Sequence, residues 1–439
     1  MNDDLRGQLR LSTFDDALGQ RIIETHVWAV REGLRGATAY DLFDGYCQRL
    51  VIHGTPLWRG YAGMATLHPQ WNGYGYTWRR DLNAIAPEQY EHGGDEKPIW
   101  VTSPFYALIR RAEAGEQTPT IRRRIEQGPE ERDFPILQEI FALGATDYVA
   151  FVYAIAETRD RSQGSGIVYS FATDRRGGFS DDDVRLIQAT LPALSLAMKS
   201  YAAYIIASGL LGTYLGEDAG RRVHSGAIMR GSVETLRAVI WFADIRGFTA
   251  FSDAAEGPIV IALLNDVFEI LTAAVRSRGG QVLKFIGDGM LTTFSFDEAD
   301  RAETCRRALD GALEAMRNID ALNAERAAAG APPVRVDIAL HIGEVMYGNV
   351  GATDRLDFTV IGPAINEVTR IEALCEPLGR SILVSSELAS VASGGGLALE
   401  PLGRHALRGV REPKEIFALD LSAATPPESE SGPSAPPEA

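Results

Sequence analysis

The sequence predicts an α+β protein whose second half follows a ferredoxin-like plan. From residue 233 the patterns alternate as strand, helix, strand, strand, helix and strand, which is the element order of that plan. Residues 238–242 (AVIWF) form a continuous apolar run, as expected for a buried strand. Residues 334–342 (VRVDIALHI) place apolar side chains at alternate positions, as in a strand with one buried face.

Composition places the chain among ordinary globular proteins. Its 439 residues are enough for two or three domains, and 45% are hydrophobic while 23% are charged. A formal net charge of −16 argues against a nucleic-acid or anionic-membrane partner, because either would need a basic face. Cys47, Cys305 and Cys375 lie far apart and show neither a disulfide framework nor metal-ligand spacing.

The expected location is the cytoplasm, with no membrane partner. The acidic, polar start of the chain (MNDDLRG) does not have the pattern of a signal peptide. The most apolar stretch, residues 201–215, is shorter than the about 20 residues that a bilayer requires.

Residues 1–20 are polar and are expected to be flexible, and helical patterning begins near residue 21. Further on, Tyr74, Tyr76 and Trp78 alternate along a strand-like segment, so they share one face. Such a face serves as core, as a dimer contact or as the lining of a ligand pocket.

Residues 144–199 show two strands at 146–154 and 166–172, separated by a polar loop at 157–163. Ser180 is a good helix N-cap, and the three aspartates after it suit the positive end of a helix dipole. This stretch resembles the last part of GAF domains, small α/β sensor modules built on an antiparallel sheet. The resemblance implies a sensory or dimerising domain over residues 21–200, with room for an unidentified small-molecule ligand.

Residues 201–233 join the two halves of the chain. The segment starts with helical patterning, and glycines at 209, 212, 216, 220 and 226 are expected to interrupt it. It is either a helical transducer between domains or a passive connector. Residues 234–420 form the second domain, and the Pro/Ser/Glu-rich residues 421–439 are expected to be disordered.

Two aspartates stand where apolar strands end. Asp244 follows the run at 238–242, and Asp288 lies between Gly287 and Gly289, which favours a tight hairpin between two strands. If these strands are neighbours, both carboxylates emerge at the same edge of the sheet, where a hard divalent cation would relieve their repulsion. The alternative is that each aspartate only caps a turn.

Four blocks in this half carry a specific resemblance. FADIRGFTAFSD, KFIGDGML, LHIGEVMYGNVG and LDFTVIGPAINEVTR, in this order, resemble the catalytic domain of class III nucleotidyl cyclases over residues 236–419. The resemblance implies conversion of ATP into 3′,5′-cyclic AMP and pyrophosphate. The alternatives are a guanylate cyclase and a catalytically silent nucleotide-binding or dimerisation module.

The resemblance also implies roles for individual residues. Asp244, Asp288 and the backbone carbonyl of Ile245 match the positions that hold two divalent cations, Mg²⁺ or Mn²⁺. Phe248 and Thr249 open a helix whose backbone N–H groups can face the triphosphate.

Base selection is expected to rest on Lys284 and Thr359. Lys284 matches the family's adenine-selecting lysine, where a guanylate cyclase would carry Glu. Thr359 occupies a position where many adenylate cyclases have Asp and guanylate cyclases usually have Cys. Threonine there is similar to a subgroup with some bicarbonate-responsive members, so bicarbonate sensitivity is a hypothesis for this chain.

Asn366 and Arg370 are four residues apart on a predicted helix and so share one face. They match the family's transition-state pair, and Arg408 aligns with its triphosphate-binding lysine. Glu367 departs from the family pattern and is expected to add negative charge near the phosphates. A structural role is expected for His341, which falls in a core-like strand.

In this family the active site forms between two catalytic domains, one supplying the metal-binding aspartates and the other the base-selecting and transition-state residues. This chain carries both sets, so the resemblance implies a homodimer with two equivalent sites.

Overall fold

In a computed structural model of the chain, residues 17–82, 84–93, 97–154, 166–392 and 398–420 are described. They belong to two compact units, Met1–Leu210 and Leu211–Ala439. The flexible segment expected at the N-terminus falls outside the described residues as far as residue 16, whereas residues 17–20 already belong to a helix. The loop expected at 157–163 and the tail at 421–439 also lie outside the described residues.

The first unit is built around one antiparallel sheet. Its elements, in chain order, are α1 (Ala17–Leu34), α2 (Ala39–Ile52), β1 (Arg59–Ala65), β2 (Trp71–Arg79), β3 (Ala84–Glu91), α3 (Pro98–Val101), α4 (Pro104–Glu113), β4 (Thr120–Arg123), a 3₁₀ turn (Pro129–Glu131), α5 (Pro135–Ala142), β5 (Asp147–Ala154), β6 (Gly166–Thr173) and α6 (Asp181–Leu215). The six strands are ordered β3–β2–β1–β6–β5–β4. This arrangement is compatible with the GAF-like fold expected from the sequence.

Apolar side chains cover both faces of this sheet. One face packs against α2 and α6 and includes the buried Trp78, with Tyr74 and Tyr76 packed partly against it. The alternating aromatic face of β2 is therefore part of the core. The other face packs against α4 and α5 around Tyr61 and Tyr148.

The start of α6 is fixed to this sheet by buried charge. Asp147 is fully buried and accepts hydrogen bonds from Arg122 Nη2 at 2.9 Å and from the backbone N–H of Phe179 at 3.0 Å. Ser180 caps α6 as predicted, because its Oγ accepts from the backbone N–H of Asp183 at 3.1 Å.

The expected glycine breaks in the connector are wrong at three positions, Gly209 and Gly212 inside α6 and Gly220 inside the next helix, Glu217–His224. α6 continues without interruption through Gly209 and Gly212 and ends at Leu215, after 35 residues. A helix-interior glycine costs only about 1 kcal/mol relative to alanine, which the surrounding helix-forming residues can offset. The chain does turn at Gly216, whose φ of 88° lies in the region that favours glycine.

The second unit carries the longer sheet. Its elements are α7 (Glu217–His224), β7 (Val233–Ile245), α8 (Phe248–Ala254), α9 (Gly257–Ser277), β8 (Gln281–Ile286), β9 (Gly289–Ser295), α10 (Arg301–Ala328), β10 (Val336–Gly351), β11 (Leu356–Ile361), α11 (Pro363–Glu372), α12 (Cys375–Leu378), β12 (Ile382–Ser385), α13 (Ser386–Ala392), β13 (Leu399–His405) and β14 (Lys414–Leu419). The predicted α+β order is confirmed.

The strands of this unit are ordered β13–β14–β12–β10–β7–β9–β8, and β11 pairs with β10. β7 therefore lies inside the sheet, between β9 and β10. Helices α9, α10 and α13 cover one face around the buried Trp241, and α11 packs on the other face around Ile240 and Val368. All three cysteines are buried and unpaired.

The residues just before β7 pack on β10. Arg222 of α7 contacts Glu234 at 2.6 Å, and its guanidinium lies 5.4 Å from the centre of the Tyr347 ring. Asn349, which is only 3% exposed, donates from Nδ2 to the backbone oxygen of Ala227 at 2.7 Å. Asn349 also exchanges backbone hydrogen bonds with Gly231 and Ser232.

Two described helices, α6 and α9, are long and apolar enough to cross a membrane by length and composition. Residues 201–215 alone are too short to cross a membrane, but α6 begins 20 residues earlier, at Asp181, and this length was not predicted. Length and composition do not distinguish a membrane span from a core helix. Both helices contribute buried residues to a core, such as Leu191 in α6 and Leu271 in α9.

Candidate active site

The two strand-end aspartates lie together, as predicted. Ala243 of β7 pairs with Met290 of β9, and a two-residue turn at Gly287 and Asp288 joins β8 to β9. A side-chain carbon placed on Gly289 would lie 3.2 Å from Oδ1 of Asp244. Glycine at this position therefore leaves room for the Asp244 carboxylate beside the hairpin.

Uncompensated negative charge marks this edge of the sheet. Burial, and after it the neighbouring charge of Asp288, raise the pKa of Asp244 to about 6, against the effect of a hydrogen bond from the backbone N–H of Ile245. Burial and like charge both disfavour the ionised carboxylate, and together they outweigh this hydrogen bond. These two side chains, with the adjoining Ile245 carbonyl, form an oxygen-rich donor set suited to a hard cation.

A third carboxyl group, Glu372 at the end of α11, was missed from the sequence. Its pKa is raised to about 7, first by burial and then by the charges of Asp244, Asp337 and Asp288. The available signal was helical spacing, since two residues along a helix turn the side chain by about 200°. Glu372 thus points away from the side of α11 that carries Arg370.

An ion pair holds the backbone that follows Asp244. Arg246 donates to Asp337 through Nε at 2.8 Å and through Nη2 at 2.5 Å, and Nη2 also donates to the Arg380 carbonyl at 3.0 Å. Gly247 then adopts a φ of 75°, and α8 begins at Phe248 as predicted. The half-buried Phe248 ring packs towards the core, whereas Thr249 is exposed.

Lys284 and Thr359 lie on two strands that are not sheet neighbours. Lys284, on β8, forms an ion pair with Asp357 of β11, and both side chains are about half exposed. Thr359 follows two residues later on β11 and is half-buried. Asp357 was not identified from the sequence, because its contact with Lys284 joins residues 73 positions apart.

Asn366 and Arg370 lie on α11, as predicted, while Val368 and Ile371 face the core. A side-chain carbon placed on Gly409 would lie 3.7 Å from Nη2 of Arg370. The loop that contains the exposed Arg408 therefore lies beside Arg370, which brings these two cationic residues into one region.

The expectation for Glu367 is wrong. Its carboxylate lies 3.5 Å from Lys414 Nζ and 3.7 Å from His341 Nε2. His341 is buried, as expected for a structural residue, and its Nδ1 lies 2.9 Å from Ser385 Oγ. Glu367 faces the β10–β12–β14 side because one residue along the helix turns it about 100° from Asn366.

The second half of the chain is similar to known proteins. Residues 233–420 match the family model described as the adenylate and guanylate cyclase catalytic domain. These residues are a class III cyclase catalytic domain. The predicted resemblance over residues 236–419 is thereby confirmed.

Named relatives match the cyclase domain. An adenylate cyclase of Anabaena cylindrica is 36% identical over 162 residues, which are 36% of this chain and 31% of that protein. Adenylate cyclase 1 of Rhizobium meliloti is 27% identical over 178 residues, or 40% of this chain and 26% of that protein. The chain thus spans less than a third of the length of these two relatives.

A solved structure, the adenylyl cyclase CyaB from P. aeruginosa, aligns with 43% of this chain and 96% of its own, at 25% identity and a TM-score of 0.40.

Proposed function

We propose that the chain is an adenylate cyclase that converts ATP into 3′,5′-cyclic AMP and pyrophosphate as a homodimer with two equivalent sites. The observation that carries the dimer is the orientation of α11. Glu372 interacts with the Asp244 and Asp288 carboxyls, whereas Arg370, two residues earlier, lies beside Gly409. One chain thus directs its carboxylates and its transition-state arginine to different places, and a second copy is needed to complete each site.

Exposed apolar side chains support the same proposal. Met346, Val350 and Ile361 are each more than a third exposed on the β10–β11 pair. Clustered exposed apolar residues are typical of a protein–protein contact.

Two divalent cations, Mg²⁺ or Mn²⁺, fit the carboxylate edge. Among the described residues no cluster of three or more His, Cys, Asp or Glu side chains could hold a metal. Mg²⁺ is commonly held by only one or two carboxylates, with substrate phosphates completing its shell. Asp244, Asp288 and the Ile245 carbonyl would hold such ions. When bound, two such ions favour ionisation of the ribose 3′-hydroxyl and neutralise charge on the leaving pyrophosphate.

The remaining site residues bind and orient the substrate. Asn366 positions the ribose, and Arg370 donates to phosphate oxygens on which charge develops during the reaction. Arg408 binds the triphosphate, with the planar donor geometry that suits phosphate. The backbone N–H groups at Phe248 and Thr249 face the same phosphates.

Lys284 and Thr359 contact the base, and Lys284 favours adenine over guanine.

The first unit is proposed to be a GAF-like regulatory domain of a cytoplasmic protein. Support comes from the connectivity, because the chain passes from one unit to the other within the single helix α6. Its ligand would be an unidentified small molecule. Bicarbonate sensitivity is tested separately, by measuring the rate with added bicarbonate at fixed pH, and an unchanged rate would dismiss it.

The activity is tested by incubating the purified chain with ATP or GTP, each with Mg²⁺ or Mn²⁺, and quantifying both cyclic products. We expect cyclic AMP from the wild type and none from Asp244→Ala. Lys284→Glu combined with Thr359→Cys should shift the preference towards GTP. Cyclic GMP alone would favour the guanylate cyclase alternative, and binding without turnover would favour the silent module.

The shared site is tested by mixing two inactive variants, Asp244→Ala and Arg370→Ala. In a mixed dimer one site combines both substitutions and the other has neither. Random pairing should therefore restore about a quarter of the wild-type activity, because half of the dimers are mixed and each has one intact site of two. No recovery, or full activity from a monomeric preparation, would contradict the proposal.

A further inference from the structure

An arginine lies among the carboxyl groups at the edge of the sheet that carries Asp244. In the antiparallel pairing of β7 with β10, Asp337 lies directly opposite Asp244. Residues in such a pair share one face with their side-chain carbons about 5 Å apart, and two like charges there are unfavourable. Arg246 follows Asp244 by two residues, and its backbone N–H continues the pairing by donating to the Arg335 carbonyl at 2.9 Å. Alternation along a strand places the Arg246 side chain on the same face, beside both carboxylates.

The guanidinium of Arg246 is bound to only one of these two carboxylates. Nε donates to one oxygen of Asp337 at 2.8 Å and Nη2 to the other at 2.5 Å, while Nη2 also donates to the Arg380 carbonyl at 3.0 Å. The Asp337 side chain is only 5% exposed, and two parallel N–H···O bonds to a carboxylate are among the strong hydrogen-bond arrangements. Asp244, in contrast, forms no ion pair within the described part of the chain.

The first unit shows that an arginine can pair with an aspartate two residues away. At the end of β2, Arg79 donates to Asp81 from Nε at 3.0 Å and from Nη2 at 2.5 Å. Arg246 and Asp244 have the same separation at the end of β7, in the reverse order. If Asp337 were neutral, Asp244 would therefore be an available acceptor for the Arg246 guanidinium.

We propose that Asp337 is a positioning residue that keeps Arg246 away from Asp244 and so leaves the Asp244 carboxylate free to bind a divalent cation. This inference rests on the proposed metal chemistry of the cyclase domain. In this role Asp337 contacts neither metal nor substrate, because it acts through Arg246. A guanidinium bound to Asp244 would occupy its oxygen atoms and place a positive charge where the cation binds.

A purely structural ion pair would behave differently on mutation. If the pair only fixed the backbone after Asp244, loss of either partner, or of both, would disturb the metal site. Under the proposal, neutralising Asp337 alone is harmful because it releases the Arg246 charge, and removing that charge as well restores the site. Breaking one side of a buried ion pair leaves an uncompensated charge, whereas replacing both partners is often nearly neutral for stability.

The test compares Asp337→Asn with the double variant Asp337→Asn, Arg246→Gln in the full-length protein at pH 8. Mn²⁺ is the probe, and its binding is measured from the electron paramagnetic resonance signal of the free ion. Asp337→Asn should raise the dissociation constant for Mn²⁺ by about 10- to 100-fold, the range for hydrogen bonds to a charged group. The Mn²⁺ concentration for half-maximal cyclic AMP formation should rise by a similar factor. The double variant should return both values close to those of the wild type.

Arg246→Gln alone gives a second test that does not depend on the folding of Asp337→Asn. It should bind Mn²⁺ at least as tightly as the wild type, because Asp244 stays free, and weaker binding would overturn the inference. Unchanged Mn²⁺ binding in Asp337→Asn, or a double variant as weak as the single one, would also overturn it. Asp147→Asn is the matched control, since it removes the acid of another buried pair, with Arg122, and should leave Mn²⁺ binding unchanged.

Mn²⁺ binding is measured without nucleotide, which keeps this inference and the proposed activity distinguishable. A wild type that makes no cyclic product but binds Mn²⁺, with the loss in Asp337→Asn and the recovery in the double variant, supports the inference while the proposed activity fails. A wild type that binds no Mn²⁺ overturns the inference, whatever its activity.

Discussion

Replacing Asp244 with asparagine should stabilise the metal-free protein. Burial and Asp288 raise the pKa of Asp244 from its ordinary 3.8 to about 6, so the ionised carboxylate is disfavoured in the folded state. At about 1.4 kcal/mol per pKa unit this corresponds to roughly 3 kcal/mol. Asp244 is only half-buried, and solvent screening reduces the expected gain to about 1 kcal/mol.

The sign of the pH dependence follows from the raised pKa. A proton bound more tightly in the folded state stabilises it below pH 4, and this contribution is lost as pH rises through about 6. The advantage of Asp244→Asn over the wild type should therefore be largest near pH 8 and should shrink as pH falls below 6. Urea unfolding in EDTA at several pH values measures it, with Asp320→Asn, an exposed aspartate on α10, as control.

Metal addition should make the wild type more stable than Asp244→Asn. Millimolar Mg²⁺ or Mn²⁺ should stabilise the wild type, because binding to the folded state alone shifts the unfolding equilibrium. Asp244→Asn should gain little, since it lacks one of the two carboxylates. Equal stability of both proteins in EDTA at pH 8, or an equal gain on adding metal, would refute the reasoning.

Three further substitutions follow from the structure. Glu372→Gln should stabilise the metal-free protein above pH 7, because its raised pKa of about 7 means that a contribution present at low pH is lost as pH rises through that value. Asp147→Ala should destabilise the first unit by about 3 kcal/mol, since it leaves the Arg122 charge without its buried partner. Glu367→Ala should cost about 1 kcal/mol through lost contact with Lys414, yet leave cyclase activity unchanged.

Each has a direct measurement. Unfolding in urea at pH 4 and pH 8 should show the Glu372→Gln advantage only at the higher pH, because the wild-type carboxyl is protonated in both states at pH 4, and an equal advantage at both would contradict it. For Asp147→Ala, tryptophan fluorescence reports mainly on the first unit, which holds five of the six tryptophans. Asp182→Ala, an exposed neighbour, should unfold like the wild type. Loss of cyclase activity in Glu367→Ala would contradict this prediction and indicate that Glu367 lies near the substrate phosphates.

The carboxylate edge could be predicted because its signals are local. Gly287-Asp288-Gly289 specifies a tight turn by itself, and the apolar run before Asp244 specifies the strand beside it. Neither feature depends on residues elsewhere in the chain. The element order of the second unit was predictable for the same reason, since each strand and helix has its own periodicity.

The missed residues depend on contacts between distant parts of the chain. Asp357 looks like an ordinary strand-end aspartate until β8 brings Lys284 to it. Glu372 becomes notable only because α11 ends beside β7. The sequence placed Glu367 on a helix, but its contacts, His341 and Lys414, come from other strands and could not be predicted from the helix alone. The glycines at 209 and 212 misled because local propensity is weaker than the context of a long helix.

The packing of residues 217–232 on β10 decides where a catalytic fragment can begin. The match to the cyclase family model starts at residue 233, and a fragment cut there would lose the Ala227 carbonyl that satisfies the buried Asn349 amide. An unsatisfied buried amide costs about 1–3 kcal/mol, and Tyr347 would also lose the cover of Arg222. The start of that family match is therefore not a boundary of folding, and an expressible catalytic fragment should start before α7.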